Sequence, residues 1–156
     1  MDVIQFGVTN STIEDYLTTI IFINGFDLKD ILADLEIDQA KCDLSRKFVG
    51  AYEGISPFIA FHMHKHFLKD TIKEYTYLDN RYTLFECEHS GITGEHTVAC
   101  QINFKEDIVE WSNFKSFSSI LKDSFDYPDL KFHFDRSQYE KAIKELVNTE
   151  IKSFYT

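Results

Sequence analysis

The stretch Glu95–Phe114, EHTVACQINFKEDIVEWSNF, decides how the chain is read. Val98, Cys100, Ile102 and Phe104 alternate with Thr97, Ala99, Gln101 and Asn103. Successive strand side chains point to opposite faces, so this alternation predicts a half-buried strand. The charged triplet Lys105-Glu106-Asp107 interrupts it. Ile108-Val109-Glu110-Trp111 then resumes it and contains the only tryptophan. Two strands across a short polar turn form an antiparallel pair.

Before this pair, Arg81–His89 alternates less cleanly, and Ser90-Gly91-Ile92-Thr93-Gly94 supplies a turn with two glycines. Arg81–His89, Glu95–Phe104 and Ile108–Phe114 are therefore expected as a three-stranded meander. Residues 115–129 read as a connection with one helical turn at Phe117–Leu121, because Pro128 rules out a regular central strand there. Leu130–Phe134 is a fourth short strand. Asp135 caps a last helix on which Tyr139, Ala142, Ile143, Leu146, Val147, Ile151 and Phe154 recur at helical spacing.

The half before residue 78 reads as helical. Val3–Val8 is a short strand or an extended lead-in. Ser11 and Glu14 have capping-box spacing, and Ile13, Tyr16, Leu17, Ile20 and Ile21 continue at helical spacing to Asn24-Gly25. Asp27 opens a second helix carrying Leu28, Ile31, Leu32 and Leu35. Leu44–Tyr52 is a short helix stopped by Gly54, and Ser56-Pro57 starts a helix running to about Lys73. The expected fold class is α+β: a helical N-terminal half, then an antiparallel meander covered by a C-terminal helix.

The 156 residues predict a single domain, 1–156. With 44% hydrophobic and 15% aromatic residues, they can build a core without disulfide or metal. The balance of 16 basic and 26 acidic residues, net −10, repels phosphate backbones and argues against nucleic-acid binding. It suits a basic protein partner and equally a chain that is merely kept in solution. Three cysteines, Cys42, Cys87 and Cys100, fit a reducing compartment. The opening MDVIQFGVTNSTIEDY lacks a basic start followed by an apolar run. The longest apolar run, Ile20–Ile23, is too short for a bilayer. A cytoplasmic location without membrane association is expected.

Chemical motifs are sparse. His62 and His66 stand one helical turn apart and could share a metal, but no glutamate between them completes a zinc-protease pattern. Packed core histidines explain them as well, and no metal or cofactor is expected. Cys100 alternates with apolar neighbours as a small buried hydrophobe. No phosphate-binding glycine loop, nucleophile elbow or CxxC is present, so no catalytic residue is assigned. The densest acidic stretch runs from Asp27 to Asp43, with six acids against two lysines. Asp27, Asp30, Asp34, Glu36 and Asp38 on this stretch, with Glu86 and Glu88 on one strand face, are the expected partner-binding residues. Glu106 and Glu110 offer an alternative surface on the sheet.

The sequence Ile108-Val109-Glu110-Trp111-Ser112-Asn113-Phe114, followed by Phe132-His133-Phe134-Asp135 and Gln138-Tyr139-x-x-Ala142, resembles the C-terminal half of bacterial immunity proteins. These are partners of polymorphic toxins, including those of contact-dependent growth inhibition systems. The resemblance covers about residues 95–147. It implies a non-enzymatic cytoplasmic protein that binds one cognate toxin C-terminal domain, a nuclease in many cases, and occludes it. The competing expectation is a small α+β ligand-binding or enzymatic domain with an aromatic-lined pocket.

Overall fold

The structure, a computed structural model, describes residues 1–11, 17–38, 49–63, 65–69, 76–77, 79–87, 96–119 and 123–147. In chain order these form β1 (Ile4–Asn10), β2 (Leu17–Ile23), β3 (Phe26–Asp27), α1 (Leu28–Ile37) and β4 (Tyr52–Gly54). A π-helical turn (Phe58–Met63) and a 3-10 turn (His66–Leu68) follow. Then come β5 (Thr76–Tyr77), β6 (Arg81–Cys87), β7 (His96–Phe104), β8 (Ile108–Ser118), β9 (Asp123–Asp126), β10 (Phe132–Asp135) and α2 (Arg136–Leu146).

Antiparallel strands dominate, so the expected α+β class with a helical N-terminal half is wrong. Leu17, Ile20 and Ile21 satisfy a helical period, but Thr18-Thr19-Ile20-Ile21 is a β-branched run that favours an extended chain. It pairs with β1 from Ile4↔Ile23 to Asn10↔Leu17. Asn24-Gly25, expected to stop a helix, is the two-residue turn into β3, with φ of 54° and 84°. Tyr52 and Gly54, assigned to the end of a short helix, form β4 instead and pair with Cys87 and Phe85 of β6. Residues 44–48 of that helix lie outside the described residues, as do Ile13, Glu14 and Tyr16, and residues 49 and 50 form a turn. Ser56-Pro57 does begin a turn: Ile59 and Ala60 both donate their backbone N–H to Ser56 O. Among the described residues no α-helix follows the π-helical turn, because Lys65 and Lys69 adopt left-handed φ of 43° and 64° and break the ladder around the 3-10 turn. Lys73 lies outside the described residues.

The three meander strands form over Arg81–Cys87, His96–Phe104 and Ile108–Ser118, while His89, Glu95 and the expected turn at residues 90–94 lie outside the described residues. These strands build a large sheet in the order β10-β8-β7-β6-β4, with β5 also on β6 and β9 also on β8. β8 runs further than expected. Its register against β7 slips between Ala99 and Gln101, opposite Asn113, whose φ is 53°. This bulge bends β8. Ile108–Trp111 pairs outward with β10, and Lys115–Ser118 pairs with β9. The helical turn expected at Phe117–Leu121 is thus a hairpin strand where it is described.

The small sheet, β1-β2-β3, meets the large sheet at both margins. Thr19 N donates to Ile55 O beside β4 at 3.0 Å, and Asp2 N donates to His133 O of β10 at 2.9 Å. Gly54 makes the first junction possible: a Cβ there would stand 1.8 Å from Thr19 O. At the second, α2 is started by Asp135, whose Oδ1 accepts from Gln138 N at 3.0 Å. The Gln138 carboxamide clamps Ile4, accepting from its N at 3.2 Å and donating to its O at 2.7 Å. Between the sheets lie Trp111, Tyr52, Tyr139, Phe67, Phe114 and Phe134, all fully buried. Phe67 stacks on Trp111 at 5.7 Å and on Phe6 at 5.1 Å, and Tyr139 Oη donates to Phe67 O at 2.6 Å. Among the described residues no helix is long and apolar enough to cross a membrane, which says nothing of crossing by strands.

Candidate functional site: the acidic face of α1

Asp27 starts α1 by accepting from Lys29 N at 2.9 Å, and Leu28 and Leu32 bury the inner face. Asp30, Asp34 and Asp38 follow one another at four-residue spacing on the opposite side, and all three are exposed. Like charges at that spacing disfavour a helix by a few tenths of a kcal/mol per pair. No basic residue occupies the last turn, where the partial negative charge of the helix end favours cations over acids such as Asp38. None of the three forms an ion pair among the described residues. Asp30 lies in the first turn, where an acid suits the helix dipole, but helix stability does not account for Asp34 and Asp38. Ile37, 59% exposed, lies beside it; Leu35 is 38% exposed and Phe26, just before the helix, 68%.

The expected partner-binding residues thus divide. Asp30, Asp34 and Asp38 form one surface. Asp27 is a helix cap, and partial burial, opposed by its bond from Lys29 N, holds its carboxyl above the usual range. Glu36, also expected on the docking surface, points inward and is engaged within the chain. It accepts from Tyr52 Oη at 2.6 Å, from Tyr127 Oη, and from Gly50 N at 3.0 Å. Burial raises its carboxyl, and the bonds from Tyr127, Tyr52 and Gly50 offset only part of that rise. Both phenols are pushed far up, by burial first and then by the charges around them, so they stay protonated donors. This cluster fastens the end of α1 to β4 and to the segment after β9. Sequence reading missed Tyr52 and Tyr127, which stand 16 and 91 residues from Glu36; no local spacing could have shown them.

Glu86 is half-buried on β6, directly across from Glu53 of β4. Glu53 is buried and accepts from Ser11 Oγ at 2.7 Å, and both glutamates have further partners within the chain. Glu88 lies outside the described residues. Glu110 on the alternative sheet surface is also engaged, accepting from His133 Nε2 at 2.8 Å and Lys105 Nζ at 3.3 Å. Desolvation pushes its carboxyl up, but those two donors prevail and hold it below the usual range.

The metal-binding option through His62 and His66 gains nothing from the packing. His66 is buried, with Nε2 bonded to Thr83 O at 2.8 Å, so that nitrogen donates its proton to a carbonyl. The His62 side chain lies outside the described residues. Cys87 and Cys100 are buried, and burial raises the Cys100 thiol well above its ordinary value. With Tyr82 opposite Cys100, Cys87 is five residues along the neighbouring strand, roughly 15 Å at strand rise and too far for a disulfide. Among the described residues no three His, Cys, Asp or Glu side chains converge to hold a metal. Compared with family models, with curated proteins and with solved structures, the chain matches none, and its function is read from its own surface chemistry.

Proposed function

We propose that this is an immunity protein that binds a cognate toxin domain in the cytoplasm and neutralises it by occlusion. The observation that carries the reading is the stripe Asp30, Asp34 and Asp38: exposed, without ion pairs among the described residues, and spaced so that its like charges repel along the helix. Carboxylates held on a rigid element complement a basic groove, steer its approach and cover it. A nuclease is the natural toxin class, since its substrate-binding groove attracts phosphate. The net charge of −10 adds long-range attraction to such a partner. The resemblance of residues 95–147 to immunity proteins supports the same class.

The test is co-expression with the toxin domain encoded beside this gene, followed by stopped-flow association. Cells should survive and a 1:1 complex should elute. Lysine at Asp30, Asp34 and Asp38 together should slow association by one to two orders of magnitude at low salt, with the difference shrinking as salt rises. An unchanged association rate would remove α1 as the docking face, and cell death without a complex would remove the immunity reading.

A further inference from the structure

Asn24 is the only asparagine followed by glycine in the chain. Both residues of this β2–β3 turn are exposed. Space around Gly25 is open, with no atom within 4 Å of where a side chain would begin. The Asn24 carboxamide is nevertheless held. Its Oδ1 accepts from Val3 N at 2.9 Å, and its Nδ2 donates to Asp2 Oδ1 at 2.9 Å. Asp2 in turn accepts from His133 N through Oδ2 at 2.9 Å and donates its own N–H to His133 O. Asn24 is therefore part of the latch that joins the small sheet to β10.

From this geometry we infer that Asn24-Gly25 is a site of spontaneous deamidation, that Asp2 restrains it, and that its conversion opens the latch. Glycine leaves the following backbone nitrogen unshielded. That nitrogen loses its proton to solvent base and attacks Asn24 Cγ. A C–N bond closes a five-membered imide, the Cγ–Nδ2 bond breaks, and ammonia leaves carrying a proton. Water adds to one of the two imide carbonyls and reopens the ring, giving an aspartyl or isoaspartyl residue at position 24. Water is the only co-reactant. To reach the Gly25 nitrogen, Cγ must swing away from Val3 and Asp2, so both hydrogen bonds must break first. After conversion, the donor facing Asp2 Oδ1 has become a carboxylate, and an attractive contact has become a like-charge pair. The isoaspartyl product also lengthens the backbone within a two-residue turn and disturbs the Ile23↔Phe26 pairing beside it.

The experiment ages the purified full-length chain at mildly alkaline pH and follows intact mass, peptide maps and thermal melting. Conversion should localise to the peptide containing Asn24. Asp2→Ala should convert several-fold faster than the parent, and Asp2→Asn, which keeps one of the two acceptor oxygens, should convert at a rate between those of Asp2→Ala and the parent. Aged protein and the unaged Asn24→Asp variant should both melt several degrees below fresh protein. Equal rates in Asp2→Ala and the parent would overturn the restraint. Converted protein that melts like fresh protein would overturn the latch.

Discussion

Replacing Gly54 by alanine should break the junction between β2 and β4. The φ of Gly54 is not positive, so the reason is space alone. The added methyl carbon would stand 1.8 Å from Thr19 O, 2.8 Å from Thr19 C and 3.2 Å from Thr19 N, all backbone atoms. A side chain could rotate away, but this backbone belongs to a strand held by β1 along its length. Relief requires the sheets to part by more than an ångström. That separation breaks the bond from Thr19 N to Ile55 O. Overpacking costs about 1–3 kcal/mol, and a buried donor and acceptor left unpaired add about 1–3 kcal/mol. A destabilisation of roughly 3–5 kcal/mol is expected. At roughly 2–4 °C per kcal/mol for a chain of this size, Tm should fall by roughly 6–20 °C. Gly7→Ala is the control: its methyl would meet Phe22 at 3.6 Å and Ile20 at 3.8 Å, ordinary contacts, and should change stability by less than about 1 kcal/mol. Urea unfolding of the three proteins measures both effects. Gly54→Ala with the stability of Gly7→Ala would refute the account of the junction.

Two further outcomes test the interior. The Glu36 carboxyl is raised above its ordinary value of 4.5 by burial, so in the window just above that pH the folded state binds more protons than the unfolded state. Stability should then decline as pH rises through the window and level off above the folded-state value. Glu36→Gln should flatten that slope in chemical unfolding measured across the acidic range, and an unchanged slope would assign the dependence elsewhere. In a Cys42→Ser background, Cys87 and Cys100 should react with a thiol reagent only as fast as the protein opens, because both are buried; prompt reaction of either would contradict their placement.

The parts legible in the sequence are those whose pattern is local. β6, β7 and β8 show alternation broken by polar turns, and α1 and α2 each show a capping aspartate ahead of a helical apolar period. β2 was misread because Leu17, Ile20 and Ile21 fit two periods, and the β-branched residues among them were the evidence that separates the two. β4 has three residues and becomes a strand only by pairing with β6, a segment roughly 30 residues later at its nearest. β9 was hidden because the bulge at Asn113 is what turns the end of β8 toward it. The candidate site divides the same way. The solvent side of α1 follows from Leu28 and Leu32, and Asp30, Asp34 and Asp38 lie on it. Glu36 turns inward only because Tyr52 and Tyr127 arrive from remote segments.

The clamp of Gln138 on Ile4 spans 134 residues of sequence, and that distance governs the order of events during synthesis. A ribosome takes on the order of 10 s to make that length of chain. Until α2 and β10 emerge, β1 has β2 as its partner but no His133 to meet Asp2 and no Gln138 to cover its edge. An isolated strand pair is at best marginally stable in water. Closure of the two sheets is therefore a late step, and contacts of such long separation are slow to form. Through that interval Ile21, Ile23 and Phe6 stay open to other nascent chains. Yield of soluble protein should thus depend on translation speed and chaperone supply more than the finished molecule's stability would imply.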